Sequence, residues 1–190
     1  MPSLDDSFKE LQLRLRDGSS LRNTGGDPVY YLVFPPSEML RVKRRLKVWE
    51  KQLRIDGWAP QILSLAKVIG DYFETHPLRP FWLSGEAANP DLDAANETLR
   101  AALIDSGHVE QQLLKTLAEV EQRPGGLLIV TDIEAIHPYL RIGAVEQRLQ
   151  GKVPVPIVIL YPGVRSGQTN LSFLGIYPDD GNYRSVHVGG

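Results

Sequence analysis

The sequence predicts a three-layer α/β sandwich on a mostly parallel sheet of about five strands. Two short apolar runs point to it: Leu127-Leu128-Ile129-Val130-Thr131-Asp132 and Pro154-Val155-Pro156-Ile157-Val158-Ile159-Leu160. Each is bounded by turn residues, and a helix-length segment separates them, as for strands covered on both faces. A third run, Val29-Tyr30-Tyr31-Leu32-Val33-Phe34, leads straight into an amphipathic helix. Right-handed crossovers between such strands place helices on both faces of the sheet.

Taken in order, Phe8, Leu11 and Leu15 are spaced as in a short helix from Ser7 to Arg16, and residues 1–28 form an N-terminal helix and loop. The Asn23-Thr24-Gly25-Gly26-Asp27-Pro28 segment is the loop. The Val29 strand follows. Ser37 is placed to cap a helix that carries Val42, Leu46, Trp49 and Leu53 on one stripe. The opposite face holds Arg41, Lys43, Arg44, Arg45, Lys47, Lys51 and Arg54 against only Glu38 and Glu50.

A second strand is expected over Gln61–Leu65, then a helix with Ile69, Tyr72 and Phe73 that ends near His76. Residues Leu78–Pro90 read as a loop with Phe81, Trp82 and Leu83 as an aromatic anchor. Asp91–Gln122 is helical and broken at Ser106-Gly107, with Leu99, Leu103, Val109, Leu113, Leu114, Leu117 and Val120 inward. After Asp132 a helix is expected from about Tyr139 to Leu149. Tyr161-Pro162-Gly163 reads as a tight turn, Val164–Asn170 as a polar loop, and Leu171–Tyr177 and Tyr183–Val188 as strands. The whole is expected to form one domain over residues 1–190.

With 190 residues, 42% hydrophobic and 23% charged, the composition is that of a soluble globular domain with a sizeable core. No window reaches the roughly 18 apolar residues that span a membrane. The acidic start, Met1-Pro2-Ser3-Leu4-Asp5-Asp6, lacks a signal-peptide core, so the expected location is cytoplasmic. The absence of cysteine excludes disulfides, thiolate zinc sites and a cysteine nucleophile. A net charge of −2 confines any nucleic-acid role to a local patch.

The outline is that of a P-loop NTPase, of RecA-like type, without the P-loop. Asp132 stands where such an enzyme places its metal-binding acid. Yet the first strand runs into Pro35-Pro36-Ser37-Glu38 rather than G-x-x-x-x-G-K-S/T. Two prolines have no amide hydrogens to cradle phosphate. Ser37, Asp132, Glu134 and His137 would gather at the strand ends. They could serve a metal-dependent NTPase or hydrolase. The plainer alternative makes Asp132 a helix N-cap or a strand-end residue hydrogen-bonded to backbone, and His137 a structural or surface residue. No G-x-S-x-G elbow offers a serine nucleophile. Arg41, Arg44, Arg45, Lys47 and Lys51 form the main candidate interaction surface, for an acidic partner or for DNA, the alternative being a solvated outer face with i,i+4 pairing.

Several segments occur in a distinctive order: Leu127–Asp132, Ile159-Leu160-Tyr161-Pro162-Gly163, Leu171–Gly175, and Asp179-Asp180-Gly181-Asn182-Tyr183-Arg184. With the Val29 strand and its basic helix, roughly Val29 to Val188, they resemble the BrxB family of bacterial BREX phage-defence systems. Two features depart from the family pattern, the extra Gly181 between Asp180 and Asn182 and the longer Val164–Asn170 loop. The resemblance implies a small non-catalytic member of a multi-protein complex that also holds a large AAA-type ATPase, a DNA adenine methyltransferase and a PglZ-type protein. It implies an adaptor role, with the PglZ-type protein as first partner. It brings no cofactor and no catalytic residue.

Overall fold

A computed structural model of the chain describes residues 2–18, 26–137, 139–166, 170–178, 180–181 and 185–190. The expected loop over Asn23-Thr24-Gly25, Pro138, and the Asn182-Tyr183-Arg184 ending lie outside the described residues. Helix α1 spans Leu4–Arg16 and starts three residues earlier than its apolar spacing suggests, because Ser3 caps it by accepting from the Asp6 N–H. Strand β1 is Val29–Phe34, α2 is Met39–Ile55 and β2 is Ala59–Ser64. Helices α3 (Leu65–Thr75), α4 (Arg79–Ala88), α5 (Leu92–Ser106) and α6 (His108–Glu121) follow. Strand β3 is Gly126–Thr131, α7 is Ile142–Leu149 and β4 is Ile157–Ser166. Strands β5 (Asn170–Phe173), β6 (Asp180–Gly181) and β7 (Val186–Gly189) close the described chain.

The strands run side by side in the order β2-β3-β4-β1-β7, all parallel. Antiparallel β5 and β6 extend the outer part of β4. Val29 lies opposite Ile157, and Tyr31 opposite both Ile159 and His187. Because side chains alternate across a strand, β1 feeds two cores. Val29, Tyr31 and Val33 face Leu65, Leu117 and Val145 on α3, α6 and α7. Tyr30, Leu32 and Phe34 face Phe8 and Leu11 of α1 and Val42, Trp49 and Leu53 of α2. Phe8 and Trp49 stack with ring centroids 4.8 Å apart. The expected three-layer sandwich is therefore present, and α1 is one of its covering helices. Among the described residues no helix is long and apolar enough to cross a membrane.

Several local expectations are corrected. Ser37 caps no helix. Pro36–Glu38 form a 3-10 turn, the Glu38 N–H bonds the Pro35 carbonyl at 2.8 Å, and α2 begins only at Met39 with no side-chain cap. The segment after His76 is a helix, α4, rather than a loop. Pro80 sits in its first turn, where a missing N–H costs nothing. Its Trp82 stacks on His76 at 4.3 Å, while Phe81 stays 74% exposed.

Tyr161-Pro162-Gly163 is no turn. Strand β4 runs through it to Ser166, so the expected polar loop is also strand up to that residue. Pro162 lies where β4 leaves the parallel sheet opposite Phe34, and Gly163 begins the pairing with β5. A Cβ on Gly163 would stand 2.5 Å from the Ser172 carbonyl oxygen, so only glycine allows the two strands to approach. The expected Leu171–Tyr177 strand stops at Phe173, and Leu174 turns away at φ 54°. Helix α7 begins at Ile142 rather than Tyr139; the described part of the last strand runs from Val186 to Gly189, and the expected start at Tyr183 lies outside the described residues. The break between α5 and α6 falls where expected, on Gly107 at φ 58°.

Candidate functional site at the strand ends

The C-terminal ends of β2, β3, β4 and β1 converge beside the first half of α2. Phe34, Met39, Val42, Leu46 and Leu160 line an apolar cavity of about 150 Å³, rimmed by Lys43, Thr131, Asp132 and Glu134. Ligands of open α/β sheets bind at this edge.

Asp132 leaves β3 in a left-handed conformation, φ 58° and ψ 38°. A non-glycine residue there costs roughly 1–2 kcal/mol, and three polar partners hold it. Lys43 Nζ meets Oδ1 at 2.7 Å, while Ser64 Oγ and Thr131 Oγ1 donate to Oδ2 at 2.6 and 2.8 Å. Lys43 also reaches Glu134 Oε1 at 2.8 Å. Burial pushes the Asp132 carboxyl up, but the hydrogen bonds from Lys43, Ser64 and Thr131 outweigh it and hold the group below the usual carboxylate range. The bonds to Asp132 and Glu134 in turn push the Lys43 ammonium up, so it stays charged. Asp132 is thus a strand-end residue held by side chains, and it makes no helix cap.

The other expected site residues divide. Ser37 is exposed on the turn and lies outside this hydrogen-bonded group. His137 is turned away from the acids. Its ring lies 5.0 Å from Phe173 and 4.1 Å from Tyr177, and burial together with Arg141 holds its pKa low. Among the described residues no three histidines or acids are grouped to hold a metal. The basic surface also divides. Arg41 pairs with Glu38 at 3.2 Å, Arg45 with Asp5 at 3.0 Å, and Arg54 with Glu50 at 2.7 Å. Arg44, Lys47 and Lys51 make no ion pair among the described residues.

Sequence reasoning missed a second polar cluster. Glu146 on α7 accepts from Tyr31 Oη at 2.6 Å and from the Ser185 side chain. Ser185 Oγ lies 3.5 Å from His187 Nε2. Serine stands between the acid and the imidazole, the reverse of a nucleophile–base–acid relay. The available signal was spacing, since Glu146 lies on the arc of Ile142, Val145 and Leu149 that faces the core. Burial pushes the Glu146 carboxyl up, against the hydroxyl bonds, and Asp27 adds to the rise.

Fold and site together define a three-layer α/β domain on a parallel sheet, whose two strand-end acids share one lysine of the same chain. The family model described as BREX protein BrxB matches residues 64–188, from the end of β2 to β7. The chain belongs to the BrxB family and so to BREX phage defence. The matched span begins after β1 and the basic α2, so those elements lie outside it. Neither the curated proteins nor the solved structures gave a match.

Proposed function

We propose that the protein is a non-catalytic adaptor of a BREX complex, acting in the cytoplasm, with the PglZ-type protein as its first partner and other BREX proteins around it. The observation that carries the reading is the ammonium of Lys43 seated between Asp132 and Glu134. It fills the position where an NTPase would need those acids to hold a metal ion. The turn after β1 is poor in phosphate-binding amides, since Pro35 and Pro36 have none and the Glu38 and Met39 N–H groups are used within the turn.

Size-exclusion chromatography with light scattering, on the protein alone and mixed with the PglZ-type protein of the same system, tests the adaptor role. A co-eluting complex is expected, and two separate peaks would remove the partner assignment. Nucleotide turnover measured in parallel tests the catalytic alternative. Turnover that disappears in Asp132→Ala would replace the adaptor by an NTPase.

A further inference from the structure

The solvent-facing crest of α2 carries a pattern separate from its basic charge. Leu40, Arg44, Val48, Lys51 and Ile55 follow one another at steps of four, four, three and four. At 3.6 residues per turn they form one stripe, opposite the Val42, Leu46, Trp49 and Leu53 stripe that packs on the sheet. Its apolar members are 68%, 44% and 84% exposed for Leu40, Val48 and Ile55. Lys47 flanks the crest, and its cations are those without an ion pair among the described residues. No acid stands on it.

We propose that this crest is the docking ridge for an acidic amphipathic helix of a partner protein. The proposal rests on the adaptor reading and names the surface and the partner chemistry. Charge complementarity selects an acidic occupant. The spacing selects a helix, since ridges of residues three and four apart pack into the grooves of another helix. The crest spans about four turns, or roughly 22 Å, enough for several turns of contact. A phosphate backbone would use Arg44, Lys47 and Lys51 but makes no use of Leu40, Val48 and Ile55 between them.

The test purifies the tagged full-length protein from its host with the complete BREX set. It compares wild type with Arg44→Glu/Lys47→Glu/Lys51→Glu and with Leu40→Ser/Val48→Ser/Ile55→Ser. Affinities for the PglZ-type protein and for a labelled DNA duplex are then measured on each purified protein. Both variants should weaken binding of the PglZ-type protein at least tenfold, and salt should weaken wild-type binding. Denaturation midpoints should stay close to wild type, because the altered side chains are exposed. Binding within twofold of wild type in either variant overturns the ridge while leaving the adaptor role standing. Loss confined to the charge variant, with a parallel loss of DNA binding, also overturns it and assigns a nucleic-acid surface. If the wild type does not bind the PglZ-type protein, that partner assignment fails. The ridge then stands only if another BREX component recovered by the wild type is lost by both variants.

Discussion

Asp132 and Glu146 are two carboxylates set against one sheet, and burial acts on both in the same direction. Asp132 stands at the open strand ends and has a cation, Lys43, within 2.7 Å, so its charged form is favoured. Glu146 lies under the β1–β7 edge, where burial favours its neutral form; among the described residues its hydrogen-bond partners are the hydroxyls of Tyr31 and Ser185. Hydrogen bonds alone therefore do not offset burial here, whereas hydrogen bonds plus a counter-charge do. The strand-end acid is a settled ionic network, and the edge acid is a proton-binding one.

The largest expected effect sharpens the edge side of this contrast. His187 lies beside Ser185 and packs against Tyr31 at 5.5 Å; burial, with Arg165 nearby, lowers its pKa to about 4. Its folded pKa is below the ordinary 6.5, so its contribution is complete above pH 6.5 and is lost as pH falls towards 4. Over that range it should remove on the order of 3 kcal/mol of stability. His187→Phe keeps the ring packing and should abolish that part of the pH dependence in urea unfolding at pH 7 and pH 4.

At the strand ends, Asp132→Ala leaves Lys43, Ser64 and Thr131 without their shared acceptor and puts alanine in a left-handed conformation. A loss of about 2 kcal/mol is expected at pH 7, with Asp132→Asn losing clearly less. Chemical denaturation of both variants measures it, and equal losses would show that the carboxylate charge carries the network and that backbone strain adds nothing. Asp132 also stabilises the fold only above the ordinary carboxyl range, and that part disappears as pH falls through its lowered folded value.

Glu146 has the opposite sign. Its raised pKa makes its contribution greatest below the ordinary 4.5 and lost as pH rises through the folded value. Glu146→Gln should therefore match or exceed wild-type stability at pH 8, by up to about 1 kcal/mol, and lose that advantage at pH 4. A variant less stable than wild type at pH 8 would break the contrast between the two acids. The smallest effect belongs to Arg41→Ala. Its exposed pair with Glu38 should contribute less than about 0.5 kcal/mol by thermal unfolding.

What could be read from the sequence followed short-range pattern. Strands β1, β3 and β4 were announced by apolar runs, the inner face of α2 by helical spacing, and the α5–α6 break by Gly107. What could not be read depends on partners far along the chain. Strand β4 continues through Pro162 because β5 returns to pair with it, and α4 forms between two prolines that mark a loop in a local reading. Lys43 meets Glu134 across 91 residues of sequence, so no local pattern joined the basic helix to the strand-end acids. Helical spacing placed both Arg45 and Arg44 on the polar side of α2, but only the fold shows that Asp5 takes the first and leaves the second.

Strand β1 has a consequence for the order in which the protein is made. Both of its neighbours come late: Val29 lies opposite Ile157, and Tyr30 opposite Val186. At roughly 5–20 residues per second of synthesis, β1 waits at least several seconds for β4 to be translated. During that wait its six apolar residues have no strand to join, while β2 can already pair with β3. Two of the five parallel strands can thus pair on the ribosome before β1 is captured between β4 and β7. Until then α1 and α2, translated early, are the helices available to cover the Tyr30, Leu32 and Phe34 face of that strand.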